Sequence, residues 1–161
     1  MDLEVIYGDL LLANEQYIAH QCNCVTTYAA GAAKAIFDKY PYANTYKLRT
    51  CDKPDTSQIN TIGIHGNGSD ERYIINMYAQ VYPGSPKYLN SKLDGTLARQ
   101  LYFNNCLQLI AKINKIESIA FPFKIGCNLG GGDWLIYRKM IKMFAEQNPN
   151  IKIRVYNKQK D

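Results

Sequence analysis

Histidine and tryptophan are scarce in this chain, with two and one among 161 residues, and long apolar runs are missing altogether. No stretch of about 18 apolar residues occurs, so hydropathy gives no membrane-spanning helix. The opening residues, M-D-L-E-V-I-Y-G-D, lack a basic region followed by an apolar one, and no secretory leader is expected. The cysteines (Cys22, Cys24, Cys51, Cys106 and Cys127) are odd in number. Without a leader they read as reduced thiols, which predicts a cytoplasmic location. Cys22 and Cys24 form a C-x-C with no second matched pair, and His20 and His65 do not supply zinc spacing. No metal and no cofactor are expected.

Repeats and low-complexity linkers are also absent, and an apolar content of 47% is ordinary for a globular protein. One domain spanning residues 1–161 is the simplest reading, and it is long enough to bury a core without staples. A net charge of +5, with lysines gathered at Lys152, Lys158 and Lys160, suits an anionic partner. No stripe of interleaved arginine and aromatic residues singles out nucleic acid, so a small molecule is the better expectation. Tyrosine is abundant, but Tyr7, Tyr17, Tyr73 and Tyr156 sit in strand-like runs where β propensity accounts for them.

Hydrophobic periodicity predicts strands over residues 3–7, 17–22, 61–65, 73–78, 118–121 and 152–156. The fourth pairs with the third across a G-N-G-S-D-E turn. Helices are predicted over 30–40, ending before Pro41, over 42–51, over 93–114 and over 133–146. The third of these should carry Leu97, Leu101, Leu107 and Ile110 on or near one face, and the last should be buried through Ile136, Met140, Ile141 and Phe144. Strands alternating with helices predict an α/β protein, a three-layer α/β/α sandwich on a mixed sheet. Ligands of such sheets sit beyond the carboxyl ends of strands where the topology switches, which points to the loops after Cys22 and Phe121.

The second of those loops carries most information. Residues 121–134 read F-P-F-K-I-G-C-N-L-G-G-G-D-W, a strand end running through Gly126, Gly130, Gly131 and Gly132 into a helix. Glycine admits φ > 0 and close backbone approach. At a helix start the free N–H groups and the dipole favour an anion, most often phosphate. The first loop runs H-Q-C-N-C into A-A-G-A-A at Ala29–Ala33, and its small residues suit either a second cradle or simple helix packing. Asn23 fits a ligand hydroxyl or its own turn. Asp9 fits a base amine or a cap on the following turn. His20, inside a strand, fits a general base or a satisfied core residue.

Taken in order, G-D after the first strand, H-x-x-N at the end of the second, a small-residue loop opening a helix, and G-C-x-L-x-G-G-D-W resemble a macrodomain. The likeness is to the branch with terminal ADP-ribose–protein glycohydrolases, ADP-ribose-1″-phosphate phosphatases and viral or bacterial single-domain members. It spans Gly8 to Tyr156, and I-N-M-Y-A-Q at residues 75–80 also matches. The resemblance implies that ADP-ribose or an ADP-ribosylated protein is the partner of a monomer. Asp9 would take the adenine amine, with Leu10 beside the ring. Asn23 and Ala30, Gly31 and Ala32 would face the distal ribose and diphosphate. Gly126, Cys127, Asn128, Leu129, Gly130, Gly131 and Gly132 would wrap the diphosphate from the other side. His20 and Asp133 are the implied catalytic candidates for hydrolysing an ADP-ribosyl or O-acetyl ester or a 1″-phosphate. The alternative is a non-catalytic reader. Three departures stand out: Ala29 and Asn128 replace glycines, and Gln80 lies nearest the place of a nucleophilic lysine.

Overall fold

The alternating strands and helices assemble into one six-stranded sheet in the computed structural model, which describes residues 2–158. The strands are β1 (Glu4–Tyr7), β2 (Tyr17–Gln21), β3 (Ile62–His65), β4 (Tyr73–Met77), β5 (Ser118–Pro122) and β6 (Lys152–Asn157). Their order is β1-β6-β5-β2-β4-β3, and only the β3–β4 pair is antiparallel. The expected hairpin forms, with Ile62 opposite Met77 and His65 opposite Ile74. Of the C-terminal lysines, Lys160 lies outside the described residues.

Successive strand residues face opposite sides of the sheet, and both sides are apolar because both are covered. Ala19, Ile75, Ile119 and Phe121 meet Phe103, Leu107 and Ile110 of α2 (Thr96–Ala111) and Ile141 and Phe144 of α3 (Trp134–Gln147). Ile18, Ile74 and Ala120 meet Ala33, Ile36 and Phe37 of α1 (Gly31–Lys39). The result is a three-layer α/β/α sandwich with a mixed sheet. Among the described residues no helix is long and apolar enough to cross a membrane.

Three expectations about helices need correction. Residues 42–51 do not form one helix but two single 3-10 turns, Pro41–Ala43 and Tyr46–Leu48. Local side-chain bonds win there. Asn44 Oδ1 accepts from Tyr46 N at 3.1 Å, and Arg49 folds over the Tyr46 ring, 4.3 Å from its centroid. In α2, Leu97 and Leu101 are 61% and 59% exposed, while the buried stripe is Arg99, Phe103, Cys106, Leu107 and Ile110. In α3, Tyr137 takes the core position that Ile136 was expected to fill, and Ile136 faces out.

The topology opens a crevice between β2 and β5. From β2 the chain continues through α1 to the β3–β4 edge, and from β5 it continues through α3 to β6 on the other side. The loops leaving the carboxyl ends of β2 and β5 therefore part in opposite directions.

Candidate functional site

A two-lobed cleft lies over those strand ends. The central lobe, about 190 Å³, sits between the loops after β2 and β5 and is lined by Asn23, Ala30, Gly31, Gln80, Gly126 and Leu129, among others. The outer lobe, about 410 Å³, opens between the ends of β1 and β6 and is lined by Asp9, Leu10, Ile36, Tyr156 and Lys158, among others. Ala32, Pro122, Phe123, Lys124 and Asn128 belong to both, so the lobes form one elongated groove.

Two helices begin nearby, and their first turns differ. Asp133 caps α3, its Oδ1 accepting from Leu135 N at 3.0 Å. Ala30 is the N-cap of α1 and offers no side-chain acceptor to the first turn. The N–H groups opening α1 are thus left to a ligand or water, and the residues that carry them, Gly31, Ala32 and Ala33, line the central lobe. Asp133 lines neither lobe, so the helix end that meets the cleft is that of α1 and not that of α3.

The glycine loop divides in the same way. Cys127 N, Gly131 N and Gly132 N donate within it, to Lys124 O, Asn128 O and Gly126 O. Among the described residues no acceptor meets the N–H groups of Asn128, Leu129 or Gly130, and these three line the central lobe. Cys127, Gly131 and Gly132 stand off the cleft and shape the loop instead. Gly131 must be glycine: its φ is +71°, and a Cβ there would collide with Ser85 Oγ. Gly31, at φ +60°, also sits in the left-handed region that favours glycine, and a Cβ there would come within 2.9 Å of the mobile end of the exposed Leu129 side chain. The two banks of the central lobe touch at that point. Neither Ala29 nor Asn128 adopts a positive φ, so the two departures from glycine carry no backbone strain.

The polar groups beneath the cleft are committed. His20 is 1% exposed, and its Nε2 lies 2.7 Å from Asn76 Oδ1. Burial pulls its pKa down to about 4 despite that hydrogen bond, with His65 adding a smaller push in the same direction. The ring is neutral near pH 7, and although it is almost wholly buried it belongs to the lining of the central lobe. Asn23 Oδ1 closes its own turn by accepting from Val25 N at 2.9 Å and Thr26 N at 3.0 Å, and Arg49 anchors the same oxygen at 3.2 Å. Gln80 Nε2 donates to Tyr82 O at 2.9 Å, while its Oε1 accepts from Gln21 Nε2 at 2.7 Å. An amide chain, with no nucleophile in it, therefore floors this part of the cleft.

In the outer lobe, Asp9 Oδ1 accepts from Leu11 N at 3.0 Å as the cap of a 3-10 turn (Leu10–Leu12). Its Oδ2 is 3.9 Å from the exposed Lys158 ammonium. One carboxylate oxygen does structural duty and the other faces a solvated lysine. Across the lobe, Tyr156 is fixed by a hydrogen bond from its hydroxyl to Glu15, which also takes Arg154 at 2.9 Å. Burial pushes the Glu15 carboxyl up, but the bonds from Tyr156 and Arg154 outweigh it and leave the group below its usual range.

Sequence reasoning missed Pro122, Phe123 and Lys124 as shared walls, and Pro83 and Gly84 as part of the central lobe. Lys124 holds φ +59°, uncommon for a residue with a side chain, at the turn where the lobes meet. Its place directly after F-P-F at the strand end was the available signal. Among the described residues no three His, Cys, Asp or Glu side chains gather as a metal site would require.

Comparison with known proteins places this geometry. The family model for the Macro domain matches residues 19–141. Among curated proteins none matches the sequence. The macrodomain of Mycobacterium tuberculosis DarG is 23% identical, with a TM-score of 0.71 over 96% of this chain and 97% of that one. The macrodomain of Thermus aquaticus DarG is 21% identical, with a TM-score of 0.73 over 96% and 97%. A structure of Thermosipho africanus DarTG in complex with ADP-ribose is 17% identical, with a TM-score of 0.69 over 97% of this chain and 41% of that one. At these identities the likeness is one of fold.

Proposed function

The chain belongs to the macro domain family, and from that premise we propose that it binds ADP-ribose, free or attached to a protein, along the two-lobed groove. The observation that carries this is the continuity of the groove, with a carboxylate at one end and unspent backbone donors at the middle. Adenine sits in the outer lobe beside Leu10, its amine donating to Asp9 Oδ2. The diphosphate lies where the lobes join, between the uncapped start of α1 and the N–H groups of Asn128, Leu129 and Gly130. Lys124, at that junction, adds a positive charge. The distal ribose takes the central lobe between Asn23 and Gly126. The ADP-ribose bound to Thermosipho africanus DarTG, a protein of similar fold, supports the same ligand class.

Release of a group from the distal ribose is the finer possibility. The groups present favour binding without it. A base must reach the proton that it takes, within about 3 Å or through one water. His20 lines the central lobe but is 1% exposed with its Nε2 committed to Asn76, Asp133 caps α3 away from the walls, and Gln80 carries an uncharged amide. The function supported best is therefore that of a reader. Calorimetry with ADP-ribose and AMP tests it: ADP-ribose should bind at least about tenfold more tightly, since AMP forgoes the central lobe. Equal affinities, or none, would sink the assignment. Release of ADP-ribose from a glutamyl-ADP-ribosylated peptide by the wild-type protein would restore the hydrolase.

A further inference from the structure

The most heavily bonded side chain near the cleft is not in it. Arg99 lies in the first turns of α2 and is 1% exposed. All five of its guanidinium N–H groups are spent. Nε and Nη2 form a paired fork on Asp94, at 2.9 and 2.7 Å. The other donors reach backbone carbonyls: Nη1 to Gly84 O at 2.6 Å and Gly130 O at 3.1 Å, and Nη2 to Tyr82 O at 3.1 Å. Asp94 in turn accepts from Val81 N at 2.7 Å and Tyr82 N at 3.1 Å.

Two separate loops therefore converge on one cation. Gly84 and Gly130 line the central lobe from the segment after β4 and the glycine loop, and neither lines the outer lobe. Tyr82 O also receives Gln80 Nε2, which extends the network through Gln80 to Gln21 on the floor of the same lobe. Ser85, packed against Gly131, marks a second place where these loops meet. We propose that Arg99, locked by Asp94, is a positioning residue: it fixes the wall of the central lobe in the shape that receives the distal half of the ligand. This deepens the ADP-ribose reading and rests on it. A buried ion pair costs desolvation that an apolar pair would avoid. Here the return is geometric, because only a planar fork with five donors can satisfy a carboxylate and three carbonyls together.

Arg99→Lys is the informative variant. It keeps the charge beside Asp94 but has three donors on one nitrogen and cannot reach all three carbonyls. Affinity for ADP-ribose should fall by about tenfold or more, while adenosine, which has no phosphate to meet the clamped loop, stays within about twofold. A merely structural arginine would lower both together or neither, and either result overturns the proposal. Hydrogen exchange on the ligand-free protein reads the clamp independently of the ligand. Amides of residues 82–86 and 128–132 should exchange faster in the variant, with β2 and β4 unchanged. Unaltered exchange in those loops would also overturn it. Should Arg99→Lys fail to fold, Asp94→Asn keeps an oxygen within reach of the fork but removes the negative charge that locks it, and the same two measurements apply. Wild-type protein that binds no ADP-ribose refutes the ligand, whereas the exchange experiment still decides the clamp.

Discussion

Asp9→Asn separates recognition from capping in a single atom. Asp9 has two oxygens with different tasks: Oδ1 accepts from Leu11 N at 3.0 Å, and Oδ2 is the proposed acceptor for the adenine amine. Asparagine retains the first oxygen and replaces the second with an NH₂. The amide cannot flip without turning that NH₂ against the Leu11 N–H. Asparagine and aspartate are comparable N-caps, so the 3-10 turn should survive with little change in stability. The nearby Lys158 ammonium, 3.9 Å away and 78% exposed, is screened by water and contributes little in either protein. What disappears is a hydrogen bond to a charged acceptor, worth about 1.5–3 kcal/mol. The change also sets two donors face to face. Affinity for ADP-ribose should therefore drop about 10- to 150-fold. The thermal midpoint should move by less than about 2 °C, since about 1 kcal/mol shifts a chain of this size by 2–4 °C. Calorimetry and thermal unfolding on the same preparations measure both. Unchanged affinity would refute the adenine contact. A large loss of stability with affinity intact would make Asp9 a cap and nothing more.

The remaining expectations concern the two implied catalytic candidates. The folded-state pKa of His20, about 4, lies below the ordinary 6.5, so its contribution to stability is complete above 6.5 and is lost as pH falls towards 4. The shift corresponds to about 3 kcal/mol, and His20→Gln should flatten urea-unfolding stability across that window relative to wild type; identical pH slopes would show that the ring titrates freely. Asp133→Ala should cost about 1 kcal/mol by uncapping α3 and leave ADP-ribose affinity within about twofold, checked by urea unfolding and calorimetry.

The sheet and its alternation with helices were legible because β2, β4 and β5 are short apolar runs ended by turn residues, and each strand lies within a residue or so of its expected range. Residues 42–51 misled because nothing in their hydrophobic pattern shows that the side chains of Asn44 and Arg49 bond locally and redirect the backbone. In α2 the leucines misled. Leu97 and Leu101 present helical spacing on the solvent side, and the true core stripe includes an arginine whose burial depends on an aspartate and carbonyls that periodicity does not register. The cleft followed a similar pattern. Glycines and small residues marked both banks, but not which helix start was free. An aspartate directly before α3 is a favoured cap and an alanine before α1 a poor one, but the glycine run drew attention to α3. Lys124 escaped notice because the glycines that follow it drew the reading, while the left-handed turn that sets it between the lobes leaves no mark beyond its place after F-P-F.

The unfilled start of α1 sets residue 30 under opposed pressures. A serine or aspartate there would complete the first turn and add about 1 kcal/mol to the helix, the kind of gain that selection for robustness readily finds. The same oxygen would occupy the donors that an anionic ligand needs, and an aspartate would repel it. Alanine at this position keeps the helix slightly incomplete in the absence of ligand, so that ligand and fold are thermodynamically linked: whatever anion docks there also finishes a helix.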